Sequence, residues 1–133
     1  MKKLIFALAL MVFSNAVLAQ LSITTNYRQD GIWDAKNEKW NVTSTDKGAT
    51  TLEFDKKLSM FEHTTPTISS HYDILEYKYD ENANSYTMKV KSDAGNEYEM
   101  IIDGKNNCVV FFYWYNKEYV MVRHTINETW IRK

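Results

Sequence analysis

The chain has 133 residues, a formal net charge of −1, and 44% hydrophobic and 14% aromatic side chains. That length suits a single domain, and a near-neutral balance without a basic run excludes the electrostatic footprint of a nucleic-acid binder. Cys108 is the only cysteine, which excludes an intramolecular disulfide and leaves the fold to rest on its apolar core.

Residues 1–19 read as a secretory leader. Lys2 and Lys3 give a positive start, Leu4 to Phe13 is an apolar run, and Val17-Leu18-Ala19 ends in short side chains before a cut. The apolar run is about half of the roughly 20 residues a membrane-spanning helix needs. Cleavage after Ala19 is therefore expected to release a protein that does not span a membrane. The residue directly after the cut is Gln20 and not a cysteine, which argues against a lipid anchor. The paired lysines suit bacterial export, to the periplasm or beyond. Residues 20–133 remain as one β-rich domain of monomer size.

After Gln20 no long helical periodicity appears. Short apolar–polar alternations recur instead, separated by Asn, Asp and Lys clusters, because one Pro and four Gly cannot supply every turn. Leu21, Ile23, Thr25 and Tyr27 alternate as a first strand. Gly31-Ile32-Trp33 follows, then a turn at Lys36-Asn37-Glu38 and a return through Trp40-Asn41-Val42-Thr43. Asp46-Lys47-Gly48 reads as a second turn. Thr50, Leu52 and Phe54 mark a half-buried strand, Asp55-Lys56-Lys57 a turn, and Leu58 to Phe61 its return. Pro66 lacks a donor for a sheet ladder and marks a loop or edge.

His71 to Tyr79 changes phase. Tyr72 and Ile74 share one face while Leu75, Tyr77 and Tyr79 share the other, which predicts a β-bulge or sharp bend. Tyr86, Met88 and Val90, then Tyr98, Met100 and Ile102, form the clearest pair, with Lys89, Lys91, Glu97 and Glu99 outward. Cys108 to Tyr115 is uncharged and suits a strand buried on both faces. A two-residue turn at Asn116-Lys117 puts Tyr113 opposite Val120 and Phe111 opposite Val122; a three-residue loop pairs Trp114 with Val120 instead. Trp130-Ile131 forms a short closing strand. Nine or ten strands joined by short links predict an all-β, antiparallel up-and-down meander closing into a small barrel, with a two-sheet sandwich as the alternative.

Charges along Lys89, Lys91, Glu97 and Glu99 exclude a lipid-facing wall, so an outer-membrane barrel is rejected. No nucleophile elbow, HExxH spacing or converging carboxylate pair is found, so no catalytic residue is named. Cys108 on an apolar strand suits a small buried hydrophobe better than a nucleophile. His63 and His71 could meet across the Pro66 loop, but nothing places His124 beside them, and neither a metal nor another cofactor is expected. Asn41-Val42-Thr43 and Asn127-Glu128-Thr129 matter as glycosylation triplets only in a eukaryotic pathway.

Gly31-Ile32-Trp33 resembles the G-x-W signature of lipocalins and related calycin barrels. The resemblance implies a structural role for Gly31, a Trp33 that plugs one barrel end with Arg132 or Arg123 packed across it, and a cavity for a small apolar ligand. The chain departs from that family in its short length, its lack of paired cysteines and the absence of a helix after the last strand. Trp33 as an ordinary strand aromatic is the plainer alternative. Trp33 and Trp40 could clamp a flat ligand or merely stabilise their hairpin, while Tyr72, Tyr77 and Tyr113 could line a pocket mouth. The expected function is an exported binding protein, first a carrier of a small apolar ligand. The alternatives are an interaction or inhibitor module for an envelope protein, with Trp114 and Tyr119 exposed, and third an enzyme in which His63 or His71 meets a carboxylate.

Overall fold

The structure, a computed structural model, describes residues 20–132, and the expected leader lies outside them. Nine strands follow in order: β1 (Gln20–Asp34), β2 (Lys39–Asp46), β3 (Thr50–Phe54), β4 (Met60–Thr64), β5 (Ser69–Asp80), β6 (Ser85–Ser92), β7 (Glu97–Asp103), β8 (Cys108–Tyr115) and β9 (Glu118–Arg132). From β3 onward each pairs antiparallel with its successor, and β9 returns to pair with β1. Eight strands thus close into a barrel, with β2 as an extra strand. The meander is the one the alternation predicts; the sandwich is not adopted.

Closure depends on β1, which pairs with β9 from Gln20–Arg132 to Ile32–Val120. Its register shifts between Thr24 and Tyr27, and the shift reverses which residues face inward. Leu21, Ile23 and Thr25 are buried, but beyond the shift Arg28 pairs with His124 and Asp30 with Val122. The simple alternation through Tyr27 is corrected at this point. Asp46-Lys47-Gly48 is a second correction. Both β2 and β3 run antiparallel to β1, against Arg28–Asp34 and Ser22–Thr25 respectively. They therefore point the same way, end to end. The segment interrupts a line without reversing it, and Gly48 N donates to Asp46 Oδ1 at 3.1 Å.

Other expectations hold. Asn116 and Lys117 take φ of 48° and 67°, the left-handed pair of a type I′ turn, and Tyr113 faces Val120 while Phe111 faces Val122. The β5 register shifts between Ile74 and Glu76, leaving Leu75 exposed at the bulge. Trp130 and Ile131, expected as a short strand of their own, are instead the end of the long β9, where they pair with Ser22 and Leu21. Two turns share one design: Asp34 Oδ1 accepts from Lys36 N and Asn37 N, and Asp103 Oδ1 accepts from Lys105 N and Asn106 N. In each case the carboxylate organises the backbone two and three residues on.

Turns at 35–38, 65–68, 93–96 and 116–117 gather at one end of the barrel, the mouth; those at 55–59, 81–84 and 104–107 gather at the base. Leu21, Phe54, Leu58, Tyr86 and Ile102 belong to the main core. A second cluster lies outside the wall, where Cys108, Val110 and Met121 pack with Trp40 and Phe112. Gly31 makes room for it. A Cβ there would lie 3.0 Å from Met121 Cε and 3.2 Å from the Asn41 carbonyl oxygen, so the position needs space, not an unusual φ.

Candidate functional site

The β1 register shift and the inward alternation of β4, β5, β7, β8 and β9 aim a set of polar and aromatic side chains into the mouth. They enclose a cavity of about 530 Å³. Its depth is marked by His63, Phe111 and Val122, its wall by Arg28, Tyr72, Tyr98 and Tyr113, and its rim by Asn96, Glu97, Trp114 and Tyr115. The rings touch one another in sequence. Tyr72 stacks on Phe61 with centroids 4.7 Å apart, and Tyr72 and Tyr98 meet edge-on at 5.9 Å. Tyr98 and Tyr113 meet edge-on at 5.2 Å. Such packing fixes ring planes and keeps the wall stiff.

Below the rings sits a polar layer. Arg28 Nε and Nη2 donate to the Asp30 carboxylate at 2.7 and 2.9 Å, a two-point pairing across one strand. The His63 and His124 rings lie edge to face at 5.4 Å. His63 Nε2 and His124 Nδ1 are both buried without a hydrogen-bond partner among the described residues. Burial, with Arg28 adding to it, lowers the His63 pKa to about 4. Burial, then His63 and Arg28, lowers that of His124 to about 3. Both imidazoles are neutral at pH 7, each with one donor and one acceptor nitrogen. Burial raises the Tyr72 phenol to about 12, so it remains a hydroxyl that can donate or accept. The mouth offers apolar ring faces, the three wall phenols of Tyr72, Tyr98 and Tyr113, the neutral imidazole of His63 and a paired guanidinium, with His124 buried beneath them. That combination is chemically complementary to a molecule with both flat apolar surface and hydrogen-bonding groups.

Of the residues expected to bind, Tyr72 and Tyr113 line the cavity. Trp33 and Trp40 do not. Trp33 leans edge-on against Trp40 at 5.3 Å, and Trp40 packs with the outer cluster, so this pair stabilises its hairpin and Trp33 does not plug the barrel. The G-x-W segment falls after the β1 register shift, which turns Gly31 and Trp33 to the outer face. Arg123, one candidate to cross Trp33, instead donates to Gln29 Oε1 at 3.2 Å; the side chain of Arg132 lies outside the described residues. Tyr77 is half exposed and meets Tyr86 edge-on at 5.9 Å, on the stretch of β5 leading to the base.

His63 and His71 do not meet. They are adjacent positions, His63 opposite Ser70 and Glu62 opposite His71, on opposite faces of the wall. The His71 ring contacts Glu62 Oε1 at 2.8 Å and Asp73 Oδ1 at 3.0 Å on the outer surface. Hydrogen bonds to these carboxylates raise its pKa. The imidazole–carboxylate contact sought for an enzyme therefore forms outside the mouth. Cys108 is buried, and burial raises its thiol pKa, which opposes nucleophilic reactivity. Among the described residues, no group of three or more His, Cys, Asp or Glu is placed to hold a metal ion.

Protein-family models, curated proteins and solved structures give no match to this chain. The cavity is the guide to function. Sequence reasoning missed Arg28, Tyr98 and Phe111 as lining residues. Tyr98 and Phe111 were legible as inward positions of their strands, but nothing local separates a core position at the mouth from one at the base. Arg28 was hidden by the register shift that turns it inward.

Proposed function

We propose that this chain is an exported, monomeric binding protein that carries a small amphipathic molecule in the mouth of its barrel. The observation behind this reading is the cavity of about 530 Å³ lined by the Tyr72, Tyr98, Phe111 and Tyr113 rings. Ligand sites run from about 300 to 1,000 Å³ and combine apolar walls with a few polar groups. Arg28, His63 and three phenols change the expected ligand from a purely apolar molecule to one with ring or chain surface and polar substituents. Such groups would otherwise lose water without recompense.

Titration with a polarity-sensitive fluorescent dye tests the reading. Dye binding should be saturable, and Tyr72→Ala and Tyr113→Ala should each weaken it about tenfold, equivalent to about 1.4 kcal/mol. Tyr77→Ala, outside the cavity, should leave it unchanged. Equal losses in all three variants, or no saturable binding, would count against the mouth as the site.

A second reading, docking to an envelope protein, draws on Trp114 and Tyr115, which are 70% and 62% exposed at the β8–β9 tip. Exposed aromatics of this kind are enriched at interfaces. Export rests on Lys2, Lys3 and the apolar run, and predicts that protein recovered from its host begins at Gln20.

A further inference from the structure

The barrel wall is incomplete beside the mouth. Pairing between β7 and β8 runs from Asp103–Cys108 to Glu99–Phe112, while β8 continues with β9 to Tyr115–Glu118. Above Phe112 the backbone pairing is not continued between Glu97-Tyr98 and Tyr113-Trp114, and the Tyr98 and Tyr113 rings touch across the seam, at 5.2 Å. An outer groove of about 400 Å³ lies at this seam, lined further by Lys89, Glu99, Phe112 and Tyr119. Glu97, Tyr98, Tyr113 and Trp114 border both spaces. Cavity and groove are thus neighbours across the seam, separated by the edge-on Tyr98 and Tyr113 rings and bordered at the rim by Glu97 and Trp114.

The groove has an aromatic shelf, backed by Trp40, which packs against both Phe112 and Tyr119 at 5.8 Å. Phe112 and Tyr119 stack with centroids 5.8 Å apart and planes 12° from parallel, and Trp114 joins Tyr119 at 4.9 Å. Charges of both signs flank it at Lys89, Glu97 and Glu99. The Lys89 ammonium also contacts Glu76 Oε1 at 3.2 Å, both side chains being about two-thirds exposed, an arrangement readily exchanged for another partner. A lipid chain on this shelf would strip water from the charges and return nothing. A nucleic acid would meet two carboxylates. A pyranose ring meets both demands: its C–H face packs on an aromatic plane while its equatorial hydroxyls bond carboxylates and an ammonium.

We propose that the β7–β8 seam is a carbohydrate subsite, taking a short linear glycan whose end enters the mouth while its remaining rings cross Trp114, Tyr119 and Phe112. This inference rests on the mouth being a ligand site and names the ligand class. The test is calorimetric titration with cellohexaose, chitohexaose and maltohexaose beside the matching disaccharides and palmitate, on the wild-type chain and on Trp114→Ala and Tyr119→Ala. Trp114 is largely exposed, so its removal should leave folding intact, checked by an unchanged Tm. At least one hexasaccharide should bind, its disaccharide about tenfold more weakly, and Trp114→Ala and Tyr119→Ala should each lose about tenfold. Hexasaccharide binding that ignores Trp114 and Tyr119 would overturn the subsite. Binding of palmitate or dye in the mouth with no glycan binding would overturn it too, yet leave the carrier reading standing. Binding of nothing would overturn both.

Discussion

Two histidines and one arginine form the polar layer at the floor of the mouth, Arg28 and His63 lining it and His124 packed against His63. His63 and His124 are held neutral because burial disfavours the charged ring, and Arg28, itself neutralised by Asp30, adds to that effect. The consequence for stability has a definite sign. The unfolded chain takes up protons near pH 6.5, whereas the folded chain refuses them until about pH 4 and about pH 3. Stability is therefore full above pH 6.5 and falls as the pH drops through that window. Urea unfolding at pH 7 and pH 5 should show a loss that is smaller in His124→Leu. An identical loss in the variant would mean that His124 is not the group responsible. None of this was legible in the sequence. His63 and His124 are 61 positions apart, and only closure of β1 against β9, with β4 across the interior, brings their rings together.

At the scale of elements, the β8–β9 hairpin and the β5 bulge were readable because their signals are local. Asn116-Lys117 separates two apolar runs at two-residue spacing, and the phase change at Ile74-Leu75 fits within one strand. Lys117 is a poor residue for its φ of 67°, since a side chain there crowds the following carbonyl at about 1–2 kcal/mol. Lys117→Gly should raise unfolding free energy by about 1 kcal/mol without changing the fold, measured by urea denaturation; a decrease would contradict the turn type. The continuation of β2 into β3 was not readable, because Asp46-Lys47-Gly48 carries the composition of a reversal and only the shared partner strand shows that it is none. Most of β2 is exposed, and among the described residues its only sheet partner is β1. Amides of β2 should exchange well before those of β8 and β9 in native-state hydrogen exchange. Equal protection would argue that β2 is covered.

For the whole molecule, the all-β meander followed from alternation and short links, and eight of the nine antiparallel strands closed as twisted sheets of that size tend to. What alternation could not supply was the asymmetry between the two ends. The base is packed by Leu21, Phe54, Leu58 and Ile102, while at the mouth β1 and β9 run long and the β7–β8 pairing stops at Glu99–Phe112. Inward positions alternate in the same way at both ends, apolar toward the base and with Tyr, His and Arg toward the mouth, so which end a position occupies is set by strand length and register. The account depends on the mouth cavity holding a ligand. Native mass spectrometry of protein recovered from its own host, wild type beside Val122→Phe, tests this most directly, since the added ring enters a position lining the cavity. The account predicts a mass excess in the wild type that vanishes on denaturation and is diminished in Val122→Phe. A bare wild-type mass, or an equal excess in both proteins, would contradict it.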